Sequence, residues 1–138
     1  MGSLVRASFW LDDGLQAYLL CHTGVSVPRV QSMMMVCIAD GIDRPLDLAK
    51  RMHVSKQAIQ QSLKELVAKD LILLETDPND GRQKLIKYTQ HGRKVTEVAK
   101  EGALKLEAEL ALRIGAKQVA AIREALALDW GPRILEGL

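Results

Sequence analysis

Two short helical patterns separated by a tight turn at His53 and Val54, then two apolar runs joined by a polar stretch, predict a mainly α fold. Its centre is a helix-turn-helix followed by a two-stranded wing. The apolar runs are "LILLE" and "LIKYT", and the stretch between them is "DPNDGRQK", Asp77 to Lys84. Helical spacing before and after, at about residues 8–22 and 90–128, predicts flanking helices with apolar faces that need a partner. The whole chain, 1–138, is expected to form one domain with a winged-helix core over about 28–89.

The elements follow in order. From Phe9 to Cys21, Leu11, Leu15, Tyr18 and Leu19 recur at helical spacing until "HTG" breaks the pattern. "SVPRVQSMMMVCIADG" predicts a second helix, with Pro28 in its first turn and Gly41 left-handed just past its end. Of its three consecutive methionines, at most two can share a core face. Pro45 opens a short helix, "LDLAKRM", with Leu46, Ala49 and Met52 inward. His53 suits a left-handed position in the turn that follows.

Ser55 is placed to cap the next helix, "KQAIQQSLKELVAKD". Its apolar face is Ile59, Leu63, Leu66 and Val67, and its opposite face is Gln57, Gln61, Lys64 and Ala68, flanked by Gln60. After the hairpin, Thr89 can cap a long helix to Ile114, ended by Gly115. Val95, Ala99, Ala103, Leu106 and Leu110 form its stripe. "KQVAAIREALAL" is a last helix with Val119, Ile122 and Leu126 inward, and "DWGPRILEGL" is an irregular tail.

Composition narrows the function. Hydrophobic residues make up 48% and aromatics only 4%, so the core is aliphatic. No apolar run approaches the ~20 residues of a membrane span. The N-terminus lacks a secretory signal pattern, and two cysteines make no disulfide framework. A reducing, cytoplasmic setting is the expectation. Cys21 and Cys37 are expected to be structural, redox sensing through one of them being the alternative. Net charge is +2, yet residues 44–94 hold eleven Lys/Arg against six Asp/Glu. A surplus of this size also arises from simple surface solvation; inside a helix-turn-helix it points to a polyanion.

Candidate contacts to double-stranded DNA follow from side-chain chemistry. Gln bonds adenine N6 and N7 together, and Lys reaches guanine O6 and N7. Ser55, Lys56, Gln57, Gln60, Gln61 and Lys64 are the candidates on the second helix of the motif, which enters the major groove. Arg82 and Lys84 are the candidates on the wing. Catalysis is not expected: His22, His53 and His91 lack metal-ligand spacing, and no phosphate loop or nucleophile motif is present. No metal or cofactor is expected. Asp77 and Asp80 are expected to pair locally with Arg82 and Lys84.

The stretch "LAKRMHVSKQAIQQSLKELVAKDLILLETDPNDGRQKLIKYTQHGRK" resembles the winged helix of the MarR family, the multiple-antibiotic-resistance-type repressors. Leu48, Ala49, Val54, Ser55, Leu63, Leu66, Leu71 and Ile72 carry the resemblance, with Asp77, Pro78, Asp80, Arg82, Leu85, Thr89 and Gly92 in the wing motif. Asp70 stands where the family often has glycine, Gly81 where it often has a second arginine, and Tyr88 where leucine is common. The resemblance implies a homodimeric transcription regulator on a pseudo-palindromic operator. It implies that Arg82 enters the minor groove while the 55–69 helix reads the major groove. It also implies control by a small aromatic or anionic effector, or by a reactive cysteine, for which Cys21 is the nearer by position. The competing reading is a winged-helix protein-interaction module without DNA readout, which the local positive charge opposes.

Overall fold

The computed structural model describes residues 2–131. Its elements are α1 (Gly2–Thr23), α2 (Arg29–Ala39), α3 (Pro45–Met52), α4 (Lys56–Ala68), β1 (Ile72–Asp77), β2 (Asp80–Tyr88), α5 (Gln90–Ile114) and α6 (Ala116–Ala127). The fold is mainly α, with one two-stranded antiparallel sheet forming the wing. One compact unit runs through Ala103 and a second begins at Leu104, so α5 contributes to both. Residues 132–138, most of the expected tail, lie outside the described residues.

The first unit is a winged helix with α1 and the start of α5 packed on it. Leu19, Val27, Met34, Leu48, Ile59, Leu63, Leu66, Leu71, Ile72, Ile86 and Val95 make one aliphatic core. Of the three methionines, Met34 and Met35 are buried and Met33 is exposed. α1 starts earlier than its apolar spacing indicated. Nothing in residues 2–8 breaks a helix, and Ser8 is accommodated by donating its hydroxyl to the Val5 carbonyl at 2.8 Å. The spacing marked only the part of the helix that packs.

α2 begins at Arg29, with Pro28 just outside it, and Gly41 takes the left-handed conformation past its end. α3 buries Leu48 and Ala49; Leu46, expected inward, is exposed because it lies two positions, some 200°, from Leu48. Two left-handed residues that are not glycine then steer the chain. His53 (φ 53°) ends α3 and turns it into α4, and Asp70 (φ 55°) ends α4 and turns it into β1. The position where Asp70 replaces a common glycine is therefore one that needs a positive φ.

The junction from the wing into α5 is tight. Thr89 caps α5 by accepting from the Gly92 N–H at 2.8 Å, and its own hydroxyl donates to the Asp70 carbonyl at 2.5 Å. A Cβ on Gly92 would lie 1.8 Å from the Leu71 carbonyl oxygen, so the first turn of α5 fits against that backbone only as glycine. Further along, Gly102 lets α5 approach the Tyr18 ring of α1.

The second unit holds the end of α5 and α6, joined at Gly115 (φ 98°). Val119 is buried and Arg123 pairs with Glu107. Ile122 and Leu126, expected inward, are 46% and 52% exposed. Both lie within about 60° of Val119 around the helix, so they share its face but stay uncovered in the single chain. Among the described residues no helix is long and apolar enough to cross a membrane.

Candidate nucleic-acid interface

α4 forms because Ser55 caps it and three turns of aliphatic residues anchor it. The Ser55 Oγ accepts from the Ala58 N–H at 3.1 Å, which leaves its hydroxyl proton free to donate. Ile59, Leu63 and Leu66 are 2% exposed or less. Val67, expected with them, is 41% exposed and sits on the rim. Lys56, Gln57, Gln60, Gln61 and Lys64 are all exposed, so the predicted polar strip exists as one face of one helix. The orphan N–H groups of the first turn add partial positive charge at its start.

Gln61 is not idle on this strip. Its Nε2 donates to Glu65 Oε1 at 3.0 Å. The other Glu65 oxygen, Oε2, accepts from the Nε2 of buried Gln31 at 2.5 Å. Gln31 Oε1 in turn accepts from Lys69 Nζ at 2.7 Å, and Lys69 also donates to the Ser26 carbonyl. A polar chain therefore runs from under α2 to the outer face of α4. Its sequence signal was one polar residue in core phase: Gln31 shares helical spacing with Met34, Met35 and Ile38.

The wing differs from the long polar loop expected over Asp77–Lys84. The strands close at Pro78 and Asn79, and Asp77 pairs with Asp80. Pro78 presets the turn, and Asp77 Oδ1 accepts from the Asn79 N–H at 2.8 Å. Thr76 pairs with Lys84 while its neighbour Asp77 pairs with Asp80, so Gly81, Arg82 and Gln83 bulge out of β2. Arg82 is exposed at the middle of that bulge. Asp80 holds the bulge rather than the guanidinium: its Oδ1 accepts from the Arg82 backbone N–H at 3.1 Å and its Oδ2 from Gln83 Nε2 at 2.8 Å. The Arg82 backbone bond, then the Gln83 bond, and the Arg44 charge lower the Asp80 pKa.

Asp77 does not pair with Arg82 or Lys84. It is 2% exposed and accepts from Arg44 Nη2 at 2.6 Å, across 33 residues of chain. Arg44 also donates from Nη1 to the Gln83 amide oxygen. Beside it, the Ile86 N–H donates to the Asp43 carbonyl at 2.7 Å. The segment before α3 thus grips the wing at its turn, its bulge and its strand. Lys84 is drawn to Thr76, Nζ to Oγ1 at 2.9 Å, and stays exposed.

Cys21 is exposed on α1 and does not fill the core; Cys37 is half-buried against it. Among the described residues no group of three or more His, Cys, Asp or Glu could hold a metal ion.

Residues 23–83, the winged helix up to the bulge, match the model of the MarR family. Over 105 residues, 76% of this chain, the sequence is 27% identical to the uncharacterised HTH-type transcriptional regulator YdgJ of Bacillus subtilis strain 168. The match spans 63% of that protein's own length. The fold is similar to wild-type apo MarR from E. coli, with a TM-score of 0.71 and 25% identity over 91% of this chain and 93% of that one. It is also similar to a cysteine-to-serine mutant of the same protein complexed with operator DNA, with a TM-score of 0.69 and 25% identity over 91% and 89%. The wing motif and the helix order agree with these matches, and together they support a MarR family regulator.

Proposed function

We propose that this protein is a sequence-specific DNA-binding transcription regulator that acts as a homodimer on a pseudo-palindromic operator. The observation that carries the reading is the outer face of α4. Five exposed lysines and glutamines, Lys56, Gln57, Gln60, Gln61 and Lys64, stand on a helix whose inner face is fixed in the core. Such side chains bond base edges in the major groove, and Ser55 with the helix start suits a phosphate. Arg82, on a bulge braced from Arg44, suits the adjacent minor groove, and Lys84 adds charge to the wing. The family adds weight, since the E. coli relative is solved on operator DNA.

Exposed apolar side chains support the dimer. Leu104, Leu112, Ile122 and Leu126 stand out from α5 and α6, and Leu4, Phe9 and Leu11 from α1. A second copy would cover them about a two-fold axis. Control by a small aromatic or anionic effector belongs to the same proposal and rests on family likeness alone. A gel shift with DNA flanking the protein's own gene tests the reading. Binding at nanomolar protein against excess nonspecific competitor is expected; its absence would favour a protein-interaction module.

A further inference from the structure

Gln61 sits on the outer face of α4 with one end of its amide already committed. A carboxylate only accepts hydrogen bonds, so the end of Gln61 that meets Glu65 at 3.0 Å must be the nitrogen. The same logic fixes Gln31: its nitrogen faces Glu65 at 2.5 Å and its oxygen faces the Lys69 ammonium at 2.7 Å. Glu65 has one oxygen on each glutamine, and Gln31, only 3% exposed, cannot swing away. The carboxylate is thereby held at both oxygens, and the Gln61 carbonyl oxygen is left as the free end.

We propose that Glu65, anchored from beneath by Gln31, aims the Gln61 carbonyl outward, making Gln61 a reader of exocyclic amines on DNA bases. The inference rests on the proposed docking of α4 in the major groove and adds the chemistry read there. Adenine N6 and cytosine N4 present donors in that groove, whereas guanine O6 and thymine O4 present acceptors. A free glutamine favours adenine, bonding N6 and N7 together. A glutamine held by Glu65 accepts from adenine or cytosine alike and meets guanine or thymine with repulsion between oxygens. Glu65 and Gln31 are positioning residues here; only Gln61 touches the base.

The experiment uses the full-length protein. A duplex is selected from a random library, and every single-base variant of it is titrated with wild type, Gln61→Ala, Glu65→Ala and Gln31→Met. The position read by Gln61 is the one where wild type discriminates and Gln61→Ala does not. There, adenine and cytosine should bind alike, and guanine and thymine roughly 5- to 150-fold more weakly, the size of one base contact. Replacing adenine by purine, which lacks the exocyclic amine, should cost wild type the same factor and Gln61→Ala nothing.

Glu65→Ala and Gln31→Met should each reduce that discrimination while leaving affinity for random duplex equal or higher. Met keeps the buried volume at position 31, Lys69 keeps its bond to Ser26, and a thermal melt confirms folding. A position that accepts adenine alone, or an unchanged profile in either variant, overturns the proposal. So does a uniform loss at all positions, which is the mark of a merely structural role. Wild type that prefers no duplex over random sequence overturns the docking of α4 as well, and this separates the two failures.

Discussion

Arg44, at the start of α3, holds the carboxylate of Asp77, at the turn of the wing, with Nη2 2.6 Å from Oδ2. The pair joins the helix-turn-helix to the wing. Asp77 is 2% exposed and Arg44 35%, so the carboxylate is the desolvated partner. Arg44→Ala would strand it. Breaking a buried pair costs ~3–5 kcal/mol, and the partial exposure of Arg44 places this loss near 3 kcal/mol. Chemical denaturation measures it; a loss under about 0.5 kcal/mol would show that the wing is held by other contacts.

Asp80 gives the bulge a pH dependence. Its pKa is lowered, chiefly by the Arg82 N–H and then by Gln83. A depressed folded-state value means the contribution is present above the ordinary Asp value of 3.8 and is lost as pH falls through the lowered one. The amide resonance of Arg82 should therefore titrate with a midpoint below 3.8. A midpoint at or above that value would mean that Asp80 does not hold the bulge in solution.

Two backbone positions should respond in opposite directions. Gly92→Ala puts a methyl 1.8 Å from the Leu71 carbonyl oxygen and should cost at least the upper end of the ~1–3 kcal/mol of overpacking. Asp70→Gly relieves a left-handed residue and should stabilise by about 0.5–1 kcal/mol. Thermal melts of both variants decide the matter. A neutral Gly92→Ala would contradict the close fit of α5 against Leu71.

Much of this fold was legible in the sequence, for local reasons. The 3.6-residue period separates Ile59, Leu63 and Leu66 from Gln57, Gln60, Gln61 and Lys64, and caps such as Ser55 and Thr89 act within three residues. Periodicity gives a face but not its rim, hence Val67; over the two turns of α3 it does not choose between Leu46 and Leu48, which point to opposite sides. It assigns an apolar stripe without saying which chain covers it, hence Ile122 and Leu126. The wing was legible as two strands, but its register was not. The bulge at Gly81–Gln83 is held by Asp80 and by Arg44, and the distance of Arg44 along the chain hides its pairing with Asp77. The Gln31–Glu65–Gln61 chain was hidden for the same reason.

Assembly is open to a direct check. If α1, α5 and α6 bury their exposed apolar side chains against a second copy, sedimentation at micromolar concentration should give twice the mass of the 15.3 kDa chain. A stable monomer would remove the pairing of two α4 helices with half-sites one DNA turn apart.

If α4 and the wing together bind DNA, affinity must depend on both sequence and salt, and one salt titration reads both. Affinity for a selected duplex and for random DNA is measured across salt concentrations, with wild type and Arg82→Ala. Wild type should bind the selected duplex on the order of 10³-fold or more tightly than random DNA. Arg82→Ala should weaken binding and flatten the slope of log K against log salt by about one unit, as for one lost phosphate-neutralising charge. Equal affinity for both duplexes, with a slope that Arg82→Ala leaves unchanged, would show that α4 and the wing do not bind DNA.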